Sequence, residues 1–184
     1  MFDRIIAFFM LAGLSPIFIL VMLLILLDDG FPVFFTQKRV GVNYSFFQIY
    51  KFRSMKKDTP NVATHLLVNP DQYLLKVGAF LRKSSLDELP NLINILKGDM
   101  VFVGPRPALY NQDDLMQLRV DAGVSHLKPG LTGWAQINGR DKISLEEKVA
   151  LEKEYLEKKS FAFDVKIFLM TFTSAFLKKE GISH

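Results

Sequence analysis

A chain of 184 residues is of single-domain size and can bury a core, but its 49% hydrophobic content is unevenly spread. The formal charge is +4 and cysteine is absent, which excludes disulfide frameworks and cysteine-ligated metals. His65, His126 and His184 lack metal-ligand spacing and describe no zinc site, and neither a Walker loop nor a dinucleotide-binding glycine fingerprint is present.

From Ile5 to Leu27 no residue is charged across 23 positions. As one helix this run reaches about 34 Å, enough to cross a hydrocarbon core of roughly 30 Å. Ser15-Pro16 falls near its midpoint, where proline deletes a backbone donor and clashes with the preceding turn. Each half is then about one leaflet deep, a pattern compatible with a kinked span and equally with a re-entrant hairpin. The run is too long for a signal-peptide core, and Asp28-Asp29-Gly30-Phe31-Pro32 offers no small-x-small cleavage site, so the segment is expected to persist. The expected organisation is a membrane segment over residues 1–30 and one soluble domain over 31–184.

Phe31 through Lys57 carries Lys38, Arg39, Lys51, Arg53, Lys56 and Lys57 with no acid, a face suited to anionic headgroups, to a phosphorylated substrate, or to both. Inside it, Val33-Phe34-Phe35-Thr36 and Phe46-Phe47-Gln48-Ile49-Tyr50 are β-rich runs around Gly41-Val42-Asn43, which predicts a hairpin. Thr59-Pro60-Asn61 and Asn69-Pro70-Asp71 mark loops. Helical spacing follows over 71–82, and a second helix over 86–96 ends at Lys97-Gly98. Gly104-Pro105-Arg106-Pro107 must be an irregular rigid loop. A helix is predicted from about Gln112 to Ala122, and Pro129-Gly130 and Asn138-Gly139 read as hairpin turns around the single Trp134. Ser144 to Lys159 reads as a charged, solvent-facing helix. Last, Phe161, Val165, Phe168, Leu169, Phe172 and Phe176 form an apolar stripe that suits a core-facing helix or one lying in a membrane interface.

Three segments carry candidate chemistry. In Ser84-Ser85-Leu86-Asp87-Glu88-Leu89-Pro90, Ser85 and Glu88 have capping-box spacing, so helix capping alone accounts for both acids. Against that, Pro90 deletes a bond in the same helix, and Arg82-Lys83 lies just upstream among groups suited to phosphate. Adjacent carboxylates on a helix point about 100° apart, which suits two jobs: one to attack phosphorus, the other to hold a hard cation. In the second segment, prolines stiffen the backbone on both sides of Arg106, which lowers the entropy lost in a bidentate phosphate contact. A rigid surface turn explains the same residues. The third, Lys128 to Arg140, supplies turns, an aromatic face, the Gln136 amide and a terminal arginine, an inventory able to grip a nucleotide.

These ordered blocks, together with Phe2-Asp3-Arg4, Phe35-Thr36-Gln37-Lys38-Arg39-Val40-Gly41, Tyr50-Lys51-Phe52-Arg53-Ser54-Met55, Lys97-Gly98-Asp99-Met100 and Val103-Gly104-Pro105-Arg106-Pro107, resemble the small monotopic phosphoglycosyl transferases. That family is also called the bacterial sugar transferases or undecaprenyl-phosphate sugar phosphotransferases. The resemblance covers nearly the whole chain. It implies an α+β protein with a re-entrant membrane helix broken at Ser15-Pro16, a short β-hairpin, and a mostly helical catalytic domain with interfacial amphipathic helices on the cytoplasmic face of the bacterial inner membrane.

It further implies that Asp87 is the nucleophile and Glu88 its partner in holding Mg2+. Lys51, Arg53, Arg82, Arg106, Gln136 and Arg140 are then the substrate phosphate and nucleotide ligands. The implied partners are a UDP-sugar donor, undecaprenyl phosphate as acceptor and membrane lipids, with no nucleic acid. Before Phe2-Asp3 the family's basic stretch is reduced to the amino terminus and Arg4, and the larger relatives' extra N-terminal spans are missing, so the expectation is a minimal catalytic form. Two other classes fit parts of the sequence: a non-catalytic membrane adaptor with a basic docking face, and a conventional glycosyltransferase that releases UDP.

Overall fold

The computed structural model describes residues 2–60, 69–139 and 143–177. Its first elements are α1 (Phe2–Gly13) and α2 (Ser15–Asp29), bent by 62° at the break between them. The cause is local. The carbonyl of Ala12 would ordinarily accept from the amide of residue 16, which is Pro16 and has none; the Ser15 hydroxyl donates to it instead, at 2.7 Å. Pro16 then stands in the first turn of α2, where the missing donor is harmless. Among the described residues no single helix is long and apolar enough to cross a membrane, whereas the bent pair together is.

β1 (Phe34–Val40) and β2 (Phe46–Phe52) form the expected hairpin. Its tip is a single 3₁₀ turn, Val42–Tyr44, in which Asn43 and Tyr44 take positive φ. The helical spacing over 71–82 resolves into two pieces, a 3₁₀ turn at Pro70–Tyr73 and α3 (Gly78–Lys83). The helix predicted over 86–96 also divides, into a 3₁₀ turn at Leu86–Glu88 and α4 (Asn91–Lys97). Pro90 has no amide for Leu86, whose carbonyl accepts from Leu89 N at 3.2 Å.

The rest comprises β3 (Val101–Val103), α5 (Asp113–Asp121), β4 (Gly130–Thr132), α6 (Trp134–Asn138), α7 (Leu145–Lys158) and α8 (Phe161–Leu177). β3 and β4 pair in parallel, Val101 opposite Gly130 and Val103 opposite Thr132. The sequence patterns did not anticipate this small sheet. The turns predicted around Trp134 are corrected too: Pro129-Gly130 leads into β4, and Asn138-Gly139 closes the short helix α6. α7 begins on a complete capping box between Ser144 and Glu147. It is not simply solvent-facing, because Val149, Glu152 and Tyr155 are buried against neighbouring helices.

The chain divides into two compact units, Met1–Gln37 with Ile49–Asn94, and Lys38–Gln48 with Ile95–Ser183. The division falls within β1, β2 and α4, and α2 shares a core with the rest of the first unit. Val21 and Ile25 of α2 pack with Val33, Phe52, Leu75 and Leu81, and Leu86 and Leu89 lie against the same cluster. Phe52 stacks on Phe34 at 5.5 Å and meets Phe18 edge-on at 5.2 Å. Truncating such a ring costs about 3–5 kcal/mol.

In the second unit α8 packs on β3, β4 and α6, with Ile167 fully buried and Phe168 edge-on to Phe102 at 5.9 Å. Its apolar stripe therefore splits. Phe161 (84% exposed), Val165 and Leu169 remain uncovered on a second face.

Candidate active site

The acidic pair sits on the one-turn 3₁₀ helix Leu86–Glu88, entered through Ser85 in the left-handed region (φ 55°). That conformation ends α3, and it also prevents the capping box suggested by spacing: Ser85 makes no side-chain cap. Glu88 instead accepts a hydrogen bond from Lys51 Nζ, Oε1 to Nζ 2.7 Å, with both side chains mostly buried. The two acids are thus released from structural capping, and one is held by a cation arriving from β2.

Asp87 is half-buried, and burial pushes its carboxyl up from 3.8 to about 6. Lys51 and Arg82 act downward on it and Glu88 upward. Arg82 itself is pressed below its ordinary value by burial, an effect opposed by Asp87 and Asp71. Arg82 Nε donates to Ser54 Oγ at 3.0 Å, which fixes the guanidinium stem against the end of β2. Lys51, Arg82, Asp87 and Glu88 therefore form one electrostatic group within the first unit.

Arg53 is different. Only 6% exposed, it donates through Nε to Pro32 O, through Nη1 to Asp29 Oδ2 and through Nη2 to the carbonyls of Asp29 and Gly30. Its fork is engaged by the C-terminal end of α2, where an arginine can satisfy a buried helix end and a carboxylate together. Beside it Asp28 Oδ2 accepts from Lys76 N at 2.6 Å.

Arg106 and Gln136 belong to the second unit. The two motifs around them interlock. A Cβ on Gly133 would fall 2.1 Å from Gly104 O, one on Gly104 2.3 Å from Lys128 O, and one on Gly130 2.2 Å from Gly104 N. Only glycine permits backbones this close, and Gly104 N donates to Thr132 O at 2.8 Å across the junction. A shallow cleft of about 10 Å³ remains, lined by Arg106, Gly133, Trp134, Gln136, Glu152 and Tyr155 among others.

Gln136 Oε1 is buried there without a hydrogen-bond partner, while Nε2 points at Leu131 O, 3.4 Å away. Trp134 is tied to the fold, its Nε1 donating to Glu154 Oε2 at 2.9 Å and its ring lying against Phe163. Arg140 lies outside the described residues. Sequence reasoning missed Arg119 and Glu152, a buried bidentate pair with Nε–Oε2 2.8 Å and Nη2–Oε1 2.5 Å. The available signal was Glu152 itself, an acid on the Val149–Tyr155 stripe of α7, where burial demands a partner.

No group of three or more His, Cys, Asp or Glu side chains within metal reach occurs among the described residues. Two neighbouring carboxylates are nevertheless the donor set that magnesium uses, since that ion takes one or two carboxylates and completes its shell from phosphate oxygens and water.

A half-buried acid with a raised pKa, beside a second carboxylate and two cations, is the kind of cluster found where proteins handle anionic substrates. The chain belongs to the bacterial sugar transferase family, matching it over residues 1–178, and is by that membership a transferase. It is similar to the uncharacterized sugar transferase EpsL of Bacillus subtilis (strain 168), 42% identical over 183 residues that make up 99% of this chain and 88% of that protein. It is also similar to the UDP-glucose:undecaprenyl-phosphate glucose-1-phosphate transferase of Escherichia coli (strain K12), 40% identical over 96% of this chain but only 40% of that protein. The exopolysaccharide production protein ExoY of Rhizobium meliloti (strain 1021) is 37% identical over 97% of this chain and 85% of its own length.

Proposed function

We propose that the protein transfers a phospho-sugar from a UDP-sugar to undecaprenyl phosphate, releases UMP, and so starts assembly of an exopolysaccharide or other glycoconjugate. The observation that carries this reading is the half-buried Asp87, its carboxyl raised to about 6 beside Glu88, Lys51 and Arg82. The activity for which the Escherichia coli relative is named and the exopolysaccharide name of the Rhizobium one support the substrate classes.

An Asp87 oxygen attacks the sugar-linked phosphorus, the bond from that phosphorus to the UMP oxygen breaks, and UMP leaves. An oxygen of the lipid phosphate then attacks the same phosphorus and releases Asp87. Splitting the transfer lets a soluble donor and a membrane-held acceptor use one nucleophile in turn. A carboxyl that titrates near 6 is more basic than an ordinary aspartate and still ionised near pH 7.5, which suits a nucleophile. Asp87 and Glu88 would hold magnesium, whose charge when bound offsets that of the transferring phosphoryl oxygens. Lys51 keeps Glu88 in place. Arg82 and Arg106 supply cations for donor phosphates, and the orphaned Gln136 Oε1 is an acceptor for a nucleotide N–H or O–H.

In the same reading α1 and α2 form a re-entrant hairpin in the cytoplasmic leaflet, with the uncovered strip of α8 in the interface. The decisive experiment incubates detergent-solubilised protein with a panel of UDP-sugars, magnesium and undecaprenyl phosphate, and identifies the released nucleotide. UMP supports the reading, whereas UDP indicates a conventional glycosyltransferase and no release indicates an adaptor. Asp87→Asn should abolish both UMP and lipid product, and wild type without lipid should carry a phosphosugar adduct at Asp87 by intact mass. Glu88→Gln should lower kcat at least about 100-fold. An adduct on any other residue would overturn the mechanism.

A further inference from the structure

The loop carrying Arg106 is restrained carbonyl by carbonyl. Pro105 O accepts from Gly130 N at 2.8 Å, Arg106 O from Arg119 Nη2 at 2.9 Å, Pro107 O from Arg39 Nη1 at 3.2 Å, and Ala108 O from Val40 N at 2.9 Å. Pro105, Pro107 and Ala108 are buried, while Arg106 between them is exposed. The loop is therefore a fixed base from which one side chain projects. Two of its four backbone restraints are arginines reaching from other elements.

We propose that the buried Arg119–Glu152 pair is the positioning device for Arg106, holding the carbonyl of that residue so that its guanidinium meets the donor with little ordering left to do. A buried ion pair is a poor source of net stability, because desolvation offsets its Coulombic gain. What this pair supplies is geometry. Glu152 takes Nε and Nη2 of Arg119 in a bidentate grip, and the same Nη2 also serves Arg106 O. Glu152 also stands beside the cleft that Arg106 borders, next to the loop it helps to hold. Without it, Arg106 would have to be ordered at the moment of binding, and affinity falls by the entropy of that ordering. The inference rests on the reading of Arg106 as a donor-phosphate ligand.

The test uses UMP as the probe, titrated calorimetrically in magnesium into full-length protein in detergent, with thermal unfolding followed in parallel. Arg119→Met combined with Glu152→Met removes both charges and leaves an apolar pair, a replacement that is commonly neutral for stability. The expected result is a Tm near that of wild type and a UMP Kd about 10-fold higher. Arg106→Ala should weaken UMP at least as much, and adding the Arg119 and Glu152 changes to it should weaken binding no further, because the device acts only through Arg106. Additive losses, or a double variant that binds UMP as wild type does, would overturn the proposal. Should the double variant not fold, Arg119→Lys retains the charge opposite Glu152 without the planar fork; wild-type UMP affinity in that variant would equally overturn it. If Arg106→Ala alone leaves UMP affinity unchanged, it is the phosphate role of Arg106 that falls.

Discussion

Replacing Asp87 with asparagine should abolish turnover and yet make the protein more stable at neutral pH. In the folded chain the carboxyl titrates at about 6 instead of 3.8, with burial as the leading cause. A group raised in this way favours the folded state fully below pH 3.8, and the advantage is lost as pH climbs through 6. Above pH 6 the ionised carboxylate therefore burdens the fold by up to about 3 kcal/mol. Partial exposure of the side chain reduces this to roughly 1.5–3 kcal/mol.

Asparagine keeps the shape and removes the charge, so the burden disappears. For a protein of this size each kcal/mol moves Tm by roughly 2–4 °C, which predicts a gain of about 3–12 °C. The assay is thermal unfolding in detergent with chelator present, at pH 7.5 and at pH 4. The gain should appear at pH 7.5 and shrink to a small remnant at pH 4, where the folded carboxyl is neutral. Magnesium should raise the Tm of wild type more than that of the variant. A gain independent of pH, or a loss of stability at pH 7.5, would refute burial as the source of the perturbation.

Three further outcomes follow from particular contacts. Gly133→Ala puts a methyl group 2.1 Å from Gly104 O, where neither backbone can yield; a loss of about 1–3 kcal/mol, read as a Tm drop, is expected, and an unchanged Tm would mean the junction can open. Arg53→Met leaves Asp29 and three carbonyls without their donor, so denaturant unfolding should show a loss of about 3–5 kcal/mol, whereas a phosphate ligand would instead show normal stability with weakened donor binding. Pro16→Leu restores an amide for Ala12 O and a continuous apolar helix. A label at residue 2 should then become reachable from the periplasm in a fraction of molecules, and cytoplasmic access alone would count against the role of the break.

Much of this architecture is written in local patterns. The Ser15-Pro16 break, the hairpin around Gly41-Val42-Asn43 and the helices Asp113–Asp121 and Leu145–Lys158 stand where spacing and turn chemistry put them, because each depends on residues close in sequence. The instructive failure is Ser-Leu-x-Glu, which occurs twice. At Ser144 to Glu147 it closes a capping box; at Ser85 to Glu88 it does not, since Pro90 blocks the regular helix and Lys51, 37 positions away, takes the carboxylate. Nothing within that window distinguishes the two. The parallel β3–β4 pair and the Arg119–Glu152 contact escaped for the same reason, being pairings between segments about 30 residues apart whose own periodicity is weak. A basic stretch looks uniform in sequence, while the fold sorts it, holding Arg53 against the end of α2 and Lys51 against Glu88.

That sorting bears on why the N-terminal helix α2 is built into the unit that carries the acidic pair. Val21 and Ile25 of α2, with Phe18, Met22 and Leu26 beside them, pack in the same cluster as Leu81 and against Leu86 and Leu89 on either side of the acids. At about 1.5–3 kcal/mol for each fully buried aliphatic side chain, Val21 and Ile25 alone contribute about 3–6 kcal/mol, a large share of the whole stability of a typical domain, and the three partly buried residues add to it. The helix is therefore not a tether whose length and composition are free to vary. Arg53 and Asp28 fix its last turn to β2 and to the start of α3, and α3 leads through Ser85 directly to Asp87. Rotation or withdrawal of α2 would shift Asp87 with it. A rigid connection of this kind fixes Asp87 relative to α2 by packing within one unit, so that the helix is part of the frame that holds the acidic pair.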